Sequence, residues 1–205
     1  MNQLPSVKNI LIKCDHLNNY MLFTSTHIKK ALYFAAEKHD GQYRKGGNVP
    51  YITHPLLVAF EVSKYTNDTE IIAGAILHDT LEDCQDVTFK LLQKEFGNRI
   101  AQMVDEVSAS GNTYIKWKEK KKAYISKIKD ASNDALIIVA VDKMVNMQAY
   151  FDALKTRGDE IKQFFGGTPD EYRWYYGEIE NILVSKLINN SIAQDYTELL
   201  KSYKE

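Results

Sequence analysis

At 205 residues, 44% of them apolar and 26% charged, the chain is long enough for one domain, or one domain with a helical extension, and can bury a core. Its 26 basic and 27 acidic residues leave a net charge of -1, without the basic excess of a nucleic-acid or anionic-membrane binder, although a local basic pocket is compatible with that balance. Cys14 and Cys84 form no Cys-x-x-Cys pair, no apolar run approaches the ~20 residues that span a bilayer, and the N-terminus lacks a secretory signal, so a soluble cytoplasmic protein without a thiolate zinc site is expected.

Residues 1–24 carry little pattern and read as an N-terminal arm with a short helix. Helical spacing dominates thereafter and no strand-like alternation persists, so the expected class is all-α. The first firm helix is predicted from about Thr26 to His39, with Ile28, Leu32, Ala35 and Ala36 on one face. Glycine and proline make 40–50 a loop. A second helix follows His54-Pro55, with proline suited to its first turn, and breaks at Asn67-Asp68. Asp68 or Thr69 caps a third, reaching about Glu82. Helices are expected at Thr88–Phe96 and Asn98–Ser108, then a turn at Gly111-Asn112. A longer pair follows at Trp117–Asp130 and Asp134–Leu154. Gly166-Gly167-Thr168-Pro169 breaks the chain before helices at Asp170–Ile188 and Ser191–Tyr203. The division is an arm (1–24), a main helical domain (25–155) and C-terminal helices (156–205) packed on the same domain.

Two places break the hydrophobic pattern. Ile71-Ile72-Ala73-Gly74-Ala75-Ile76-Leu77 is apolar nearly all round and should be buried, yet it runs into His78-Asp79-Thr80-Leu81-Glu82-Asp83. Burying ionised groups unpaired costs several kcal/mol or more, and a bound cation is a common way to offset that. Helical spacing puts Glu82 one turn after His78 and Asp83 one turn after Asp79. Likewise, the apolar run Ala135–Val141 leads into Asp142, with Asn146 on the same face. A third piece is His54, at a loop-to-helix junction. Each residue has a bland reading as a cap or ion-pair partner; together they suggest a mixed nitrogen and oxygen site suited to Mn²⁺, Fe²⁺ or Zn²⁺, with carboxylates leaning towards Mn²⁺.

Other features read more simply. His39 is expected to be a core-facing, hydrogen-bonded histidine, and His16 and His27 surface residues. Lys118–Lys122 reads as a solvated helix face, with attraction of a polyanion as its functional alternative. Tyr172, Trp174, Tyr175 and Tyr176 are expected to pack the terminal helix on the core, or otherwise to form a base-stacking wall. Cys84 is expected to be a buried inert thiol.

Five segments in order resemble the HD-domain phosphohydrolases, and more closely the hydrolase domain of the RelA/SpoT alarmone enzymes and their small stand-alone relatives. They are His39-Asp40-Gly41-Gln42-Tyr43-Arg44-Lys45, Pro50-Tyr51-Ile52-Thr53-His54-Pro55, Leu77-His78-Asp79-Thr80-Leu81-Glu82-Asp83, Phe96-Gly97, and Val141-Asp142-Lys143-Met144-Val145-Asn146-Met147. The chain departs from the family pattern at Lys143 and Val145, where Asp-Arg-x-His-Asn is frequent, and at Ser108-Ala109-Ser110, in place of a Thr-Lys segment.

The resemblance implies an HD-domain helical bundle with a C-terminal helical extension and a hydrolase domain over 25–155. It implies Mn²⁺, or another divalent transition metal, held by His54, His78, Asp79 and Asp142, with Glu82 and Asp83 as the catalytic, water-handling carboxylates. Arg44 and Lys45 match nucleotide-contacting residues and Asn146 one near the ribose; Gly46 and Gly47 would let the loop backbone approach the ligand. The implied reaction is hydrolysis of the 3′-diphosphate of ppGpp or pppGpp to GDP or GTP and pyrophosphate, with no synthetase activity expected. The alternatives are an HD-fold phosphohydrolase acting on a nucleoside monophosphate, (p)ppApp or NADPH, and a nucleotide-sensing module without turnover. A small-molecule substrate is expected, with no nucleic-acid or membrane partner, and homo-oligomerisation is left open.

Overall fold

A computed structural model describes residues 25–45, 47–109, 116–188 and 190–203. The expected arm with Cys14 and His16, Gly46 and the Gly111-Asn112 turn lie outside the described residues. In chain order the helices are α1 (Thr26–Lys38), α2 (Thr53–Val62), α3 (Thr69–Leu77), α4 (Thr80–Asp83), α5 (Phe89–Phe96), α6 (Asn98–Val107), α7 (Trp117–Ile128) and α8 (Asn133–Arg157). A 3₁₀ turn (Gly158–Gln163), α9 (Pro169–Lys186) and α10 (Ile192–Ser202) complete it. Among the described residues the only extended pairing is an isolated antiparallel bridge, Tyr43 to Pro50, that closes the loop between α1 and α2.

Local chemistry sets many of the ends. Ser25, Asp68, Thr88 and Ser132 each accept a backbone N–H in the first turn of the helix they open. Thr168 and Glu171 form a reciprocal capping box ahead of α9, with Pro169 at its first position. The same pairing explains why α9 begins slightly before the expected Asp170.

The two runs that are apolar all round form the centre. Ile71 to Leu77 of α3 are all buried, as are Ala135 to Asp142 of α8. Helix α3 packs against α1, α2, α6 and α8, while α8 packs against α2, α3, α6, α9 and α10. Gly74 permits the close crossing, because a Cβ there would come within 3.1 Å of Ile138 Cδ1 and 3.5 Å of Met103 Cε. Buried Tyr172, Tyr175 and Tyr176 tie α9 into the same core, as expected.

Two expectations change. The helix predicted to reach Glu82 is two helices, since α3 stops at Leu77 and α4 restarts at Thr80. The Thr80 hydroxyl donates to the Leu77 carbonyl at 2.7 Å, taking an acceptor that a continuous helix would use. The long helix α8 runs to Arg157 rather than Leu154, ending where Gly158 adopts a φ of 57°. The polar segment Lys155-Thr156-Arg157 contains no breaker, so the helix continues until a residue without a Cβ can turn left-handed.

Candidate metal centre

Three elements deliver the site. His54 comes from the first turn of α2, His78 and Asp79 from the junction of α3 and α4, and Asp142 from the middle of α8. His54, His78 and Asp142 are each at most 5% exposed, and one ligand atom of each lies within 4.8 Å of the others. His54 Nε2 is 3.1 Å from Asp142 Oδ1 and 3.6 Å from Asp79 Oδ2; His78 Nε2 is 3.1 Å from Asp79 Oδ2 and 3.7 Å from Asp142 Oδ1. All four residues expected to bind metal are thus drawn together.

The donor chemistry fits a cation. His78 Nδ1 sits 2.8 Å from the Ala75 carbonyl, which can only accept, so Nδ1 carries the proton and Nε2 offers a lone pair. That buried Nε2 makes no hydrogen bond, and neither does His54 Nδ1. Burial works against the charge of Asp79 and Asp142, yet the imidazoles, and for Asp142 the adjacent Lys143 ammonium, hold both below the usual carboxylate range. The cluster is therefore enclosed and sets two carboxylates against two imidazole nitrogens, a mixed oxygen and nitrogen donor set.

A further shell orients these ligands. The Tyr51 hydroxyl donates to Asp79 Oδ2 at 2.7 Å, and Lys143 Nζ pairs with Asp142 Oδ2. Asn146 Nδ2 donates to Asp142 Oδ1 at 2.5 Å, and Asn146 Oδ1 receives Arg44 at 3.4 Å. Asn146, expected near a ribose, thus also links Arg44 to Asp142. Neither Tyr51 nor Lys143 was assigned a role from sequence. Their signal was faint: Tyr51 lies one turn before His54, and Lys143 stands beside an acid at the end of a buried run.

Glu82 and Asp83 project from α4 beside the cluster. Glu82 Oε2 accepts the Ala109 N–H at 2.8 Å. Burial raises its pKa above the ordinary value, helped by the negative charge of Asp79. Asp83 is raised for the same two reasons. A carboxyl with a raised pKa can both hold and release a proton nearer neutral pH.

A cavity of about 630 Å³ adjoins the centre. Arg44, Lys45, Lys121, Lys143 and Arg157 supply cations to its wall, against the single carboxylate of Asp152 among the described residues. Tyr150, Tyr172, Tyr175 and Tyr176 supply aromatic surface, so these tyrosines both pack the core and line the cavity. The Arg44 guanidinium lies 5.5 Å from the centre of the Tyr51 ring. Gly47 also lines the cavity, and a Cβ there would meet nothing within 4 Å.

The simpler expectations divide. His39 is buried, with Nδ1 2.8 Å from Gln42 Oε1, and His27 is exposed. Cys84 is buried, and burial pushes its thiol up to about 11, consistent with an inert residue. Lys118–Lys122 is not wholly a solvated face: Lys118, Lys120 and Lys122 are exposed, but Lys121 turns inward to the cavity. The correction follows from helix geometry, since Lys121 shares its face with the buried Tyr124, Ile125 and Ile128.

The profile of the HD domain family matches residues 31–165. The chain belongs to the HD domain family. This HD-domain chain is 33% identical over 205 residues to a guanosine-3′,5′-bis(diphosphate) 3′-pyrophosphohydrolase of Borreliella burgdorferi, covering 97% of this chain and 30% of that protein. It is 36% identical over 124 residues to the guanosine-3′,5′-bis(diphosphate) 3′-pyrophosphohydrolase MESH1 of Xenopus tropicalis, covering 59% of this chain and 68% of that one. The chain spans less than a third of the length of the longer relatives it matches. Its fold is shared with a solved structure of a metazoan orthologue of SpoT, with a TM-score of 0.67 and 24% identity over 87% of this chain and 96% of that one. Among the described residues, no helix is long and apolar enough to cross a membrane.

Proposed function

We propose that this HD-domain protein is a divalent-metal-dependent pyrophosphohydrolase that cleaves the 3′-diphosphate of ppGpp or pppGpp. The observation that carries the reading is the convergence of two imidazoles and two carboxylates beside a cavity walled by cations and aromatic rings. Similarity to relatives named for that activity supports it.

In this reading His54, His78, Asp79 and Asp142 would hold the ion, with Mn²⁺ as the native species. A bound divalent cation neutralises charge on a phosphoryl oxygen and makes nearby water more acidic. Glu82 accepts the proton of the attacking water, and Asp83 orients that water. The water oxygen joins the phosphorus next to the ribose, the bond to the 3′ oxygen breaks, and that oxygen departs with a proton. Arg44, planar and already seated on Tyr51, faces the base, Lys45 faces phosphate, and Asn146 lies on the ribose side. The reading takes 25–155 as the hydrolase domain, with 156–205 packed on it. It places the protein in the cytoplasm, acting on a small nucleotide rather than a nucleic acid or membrane, and leaves homo-oligomerisation open.

The test is purified protein with Mn²⁺ against ppGpp, pppGpp, ppApp, NADPH and nucleoside mono-, di- and triphosphates. Release of pyrophosphate from ppGpp and pppGpp is expected. Turnover of another compound with none of ppGpp would establish the alternative phosphohydrolase. Metal and nucleotide binding without any turnover would make this a sensing module.

A further inference from the structure

The cavity wall contains two polar groups that the proposed reaction leaves unused. Lys121 of α7 and Tyr175 of α9 both line it. The Lys121 ammonium lies 4.6 Å from the centre of the Tyr175 ring and 5.7 Å from that of Trp117. Among the described residues it has no carboxylate partner, whereas Lys143 is paired with Asp142 and Lys122 with Glu119. Burial pushes the Lys121 pKa down to about 8; Lys143 and Lys45 add to that, while Asp142 and Glu82 oppose it. Tyr175 is 2% exposed and its hydroxyl makes no hydrogen bond. Lys143, which pairs with the proposed ligand Asp142, lines the same cavity, so both groups share the space that adjoins the metal ligands.

A buried donor without an acceptor costs about 1–3 kcal/mol, and the Lys121 ammonium beside it lies over aromatic rings with no carboxylate partner among the described residues. Two such groups in one wall favour a ligand rich in acceptors, negatively charged and compact. A phosphate group has these properties.

We infer that Lys121 and the Tyr175 hydroxyl form an anion subsite beside the metal centre that holds a second phosphate of the substrate, making the protein selective for diphosphate over monophosphate esters. The inference rests on the proposed function and deepens it. One phosphate of the scissile diphosphate lies at the metal ligands and the next at Lys121 and Tyr175. A monophosphate leaves the second pair of donors unmet and binds more weakly.

The experiment is calorimetric titration of the Mn²⁺-loaded protein with inorganic pyrophosphate and with inorganic phosphate at fixed free Mn²⁺, subtracting the protein-free titration. Wild type should bind pyrophosphate at least about tenfold more tightly than phosphate, a difference of about 1.4 kcal/mol. Lys121→Gln and Tyr175→Phe should each reduce that preference to about threefold or less, and Lys121→Arg should retain most of it. Tyr175→Phe should keep the wild-type melting temperature and metal content, because the hydroxyl it loses has no protein partner. Wild-type pyrophosphate binding by folded, metal-loaded Lys121→Gln and Tyr175→Phe would overturn the subsite. If ppGpp is not hydrolysed but the Lys121-dependent preference for pyrophosphate persists, the subsite stands and the substrate assignment falls. If both variants hydrolyse ppGpp with unchanged kcat/KM, the assignment stands and the subsite falls.

Discussion

Three of the four proposed ligands, His78, Asp79 and Asp142, are held by a second bond that fixes their orientation. The Ala75 carbonyl sets the tautomer of His78, the Tyr51 hydroxyl steadies Asp79, and Lys143 with Asn146 steadies Asp142. Binding and turnover can therefore be separated by substitution. His78→Ala and Asp142→Ala should leave purified protein with little retained metal, measured by elemental analysis. Glu82→Gln keeps a side-chain oxygen to accept the Ala109 N–H, so the fold and metal load should persist. Its turnover should fall about 10²–10⁴-fold, the usual worth of a positioned general base. Normal metal in the ligand variants, or undiminished turnover in Glu82→Gln, would remove the assigned roles.

At the scale of elements, the position of α7 depends on an aromatic-glycine contact. Gly166 and Gly167 lie against the Trp117 indole: a Cβ would fall 2.8 Å from Trp117 Cδ1 at Gly166, and 2.9 Å from Cε2 and Cζ2 at Gly167. Trp117 also sits 4.8 Å, centre to centre, from the Tyr172 ring. The indole is rigid and also packed against Tyr172, so it cannot yield as a flexible chain end would. Gly167→Ala should destabilise the fold by about 1–3 kcal/mol through overpacking. Each kcal/mol corresponds to roughly 2–4 °C in melting temperature at this chain length. Adding Trp117→Ala should make the pair non-additive by more than about 0.5 kcal/mol in a thermal double-mutant cycle. Simple additivity would mean that the contact bears no load.

For the whole molecule, the metal centre joins parts of the chain that are remote in sequence. His54, His78 and Asp142 come from α2, the end of α3 and α8, and each of those helices packs on the other two. An ion held among them stabilises the folded chain relative to the unfolded one. Chelation with EDTA should lower the melting temperature, and Mn²⁺ at 100 times its Kd should restore about 2.7 kcal/mol. Asp142→Ala should melt at the same temperature with and without chelator. A wild-type melt indifferent to both EDTA and Mn²⁺ would show that the four residues hold no ion.

The sequence alone determined the all-helical class, most helix starts and the candidate ligands, since caps, breakers and apolar periodicity are local signals. An apolar run ending in an unpaired acid or histidine is equally local, because burial without a partner is costly wherever the chain goes. Tertiary structure decided what meets what. Periodicity marks a face of one helix and says nothing about the face opposite it. Only packing brought Tyr51 onto Asp79, turned Lys121 of an apparently solvated lysine run towards Tyr175, and laid Gly166 and Gly167 on Trp117. The break between α3 and α4 falls between these cases: the Thr80 hydroxyl that takes the Leu77 carbonyl is a local contact, but helical spacing alone did not reveal it.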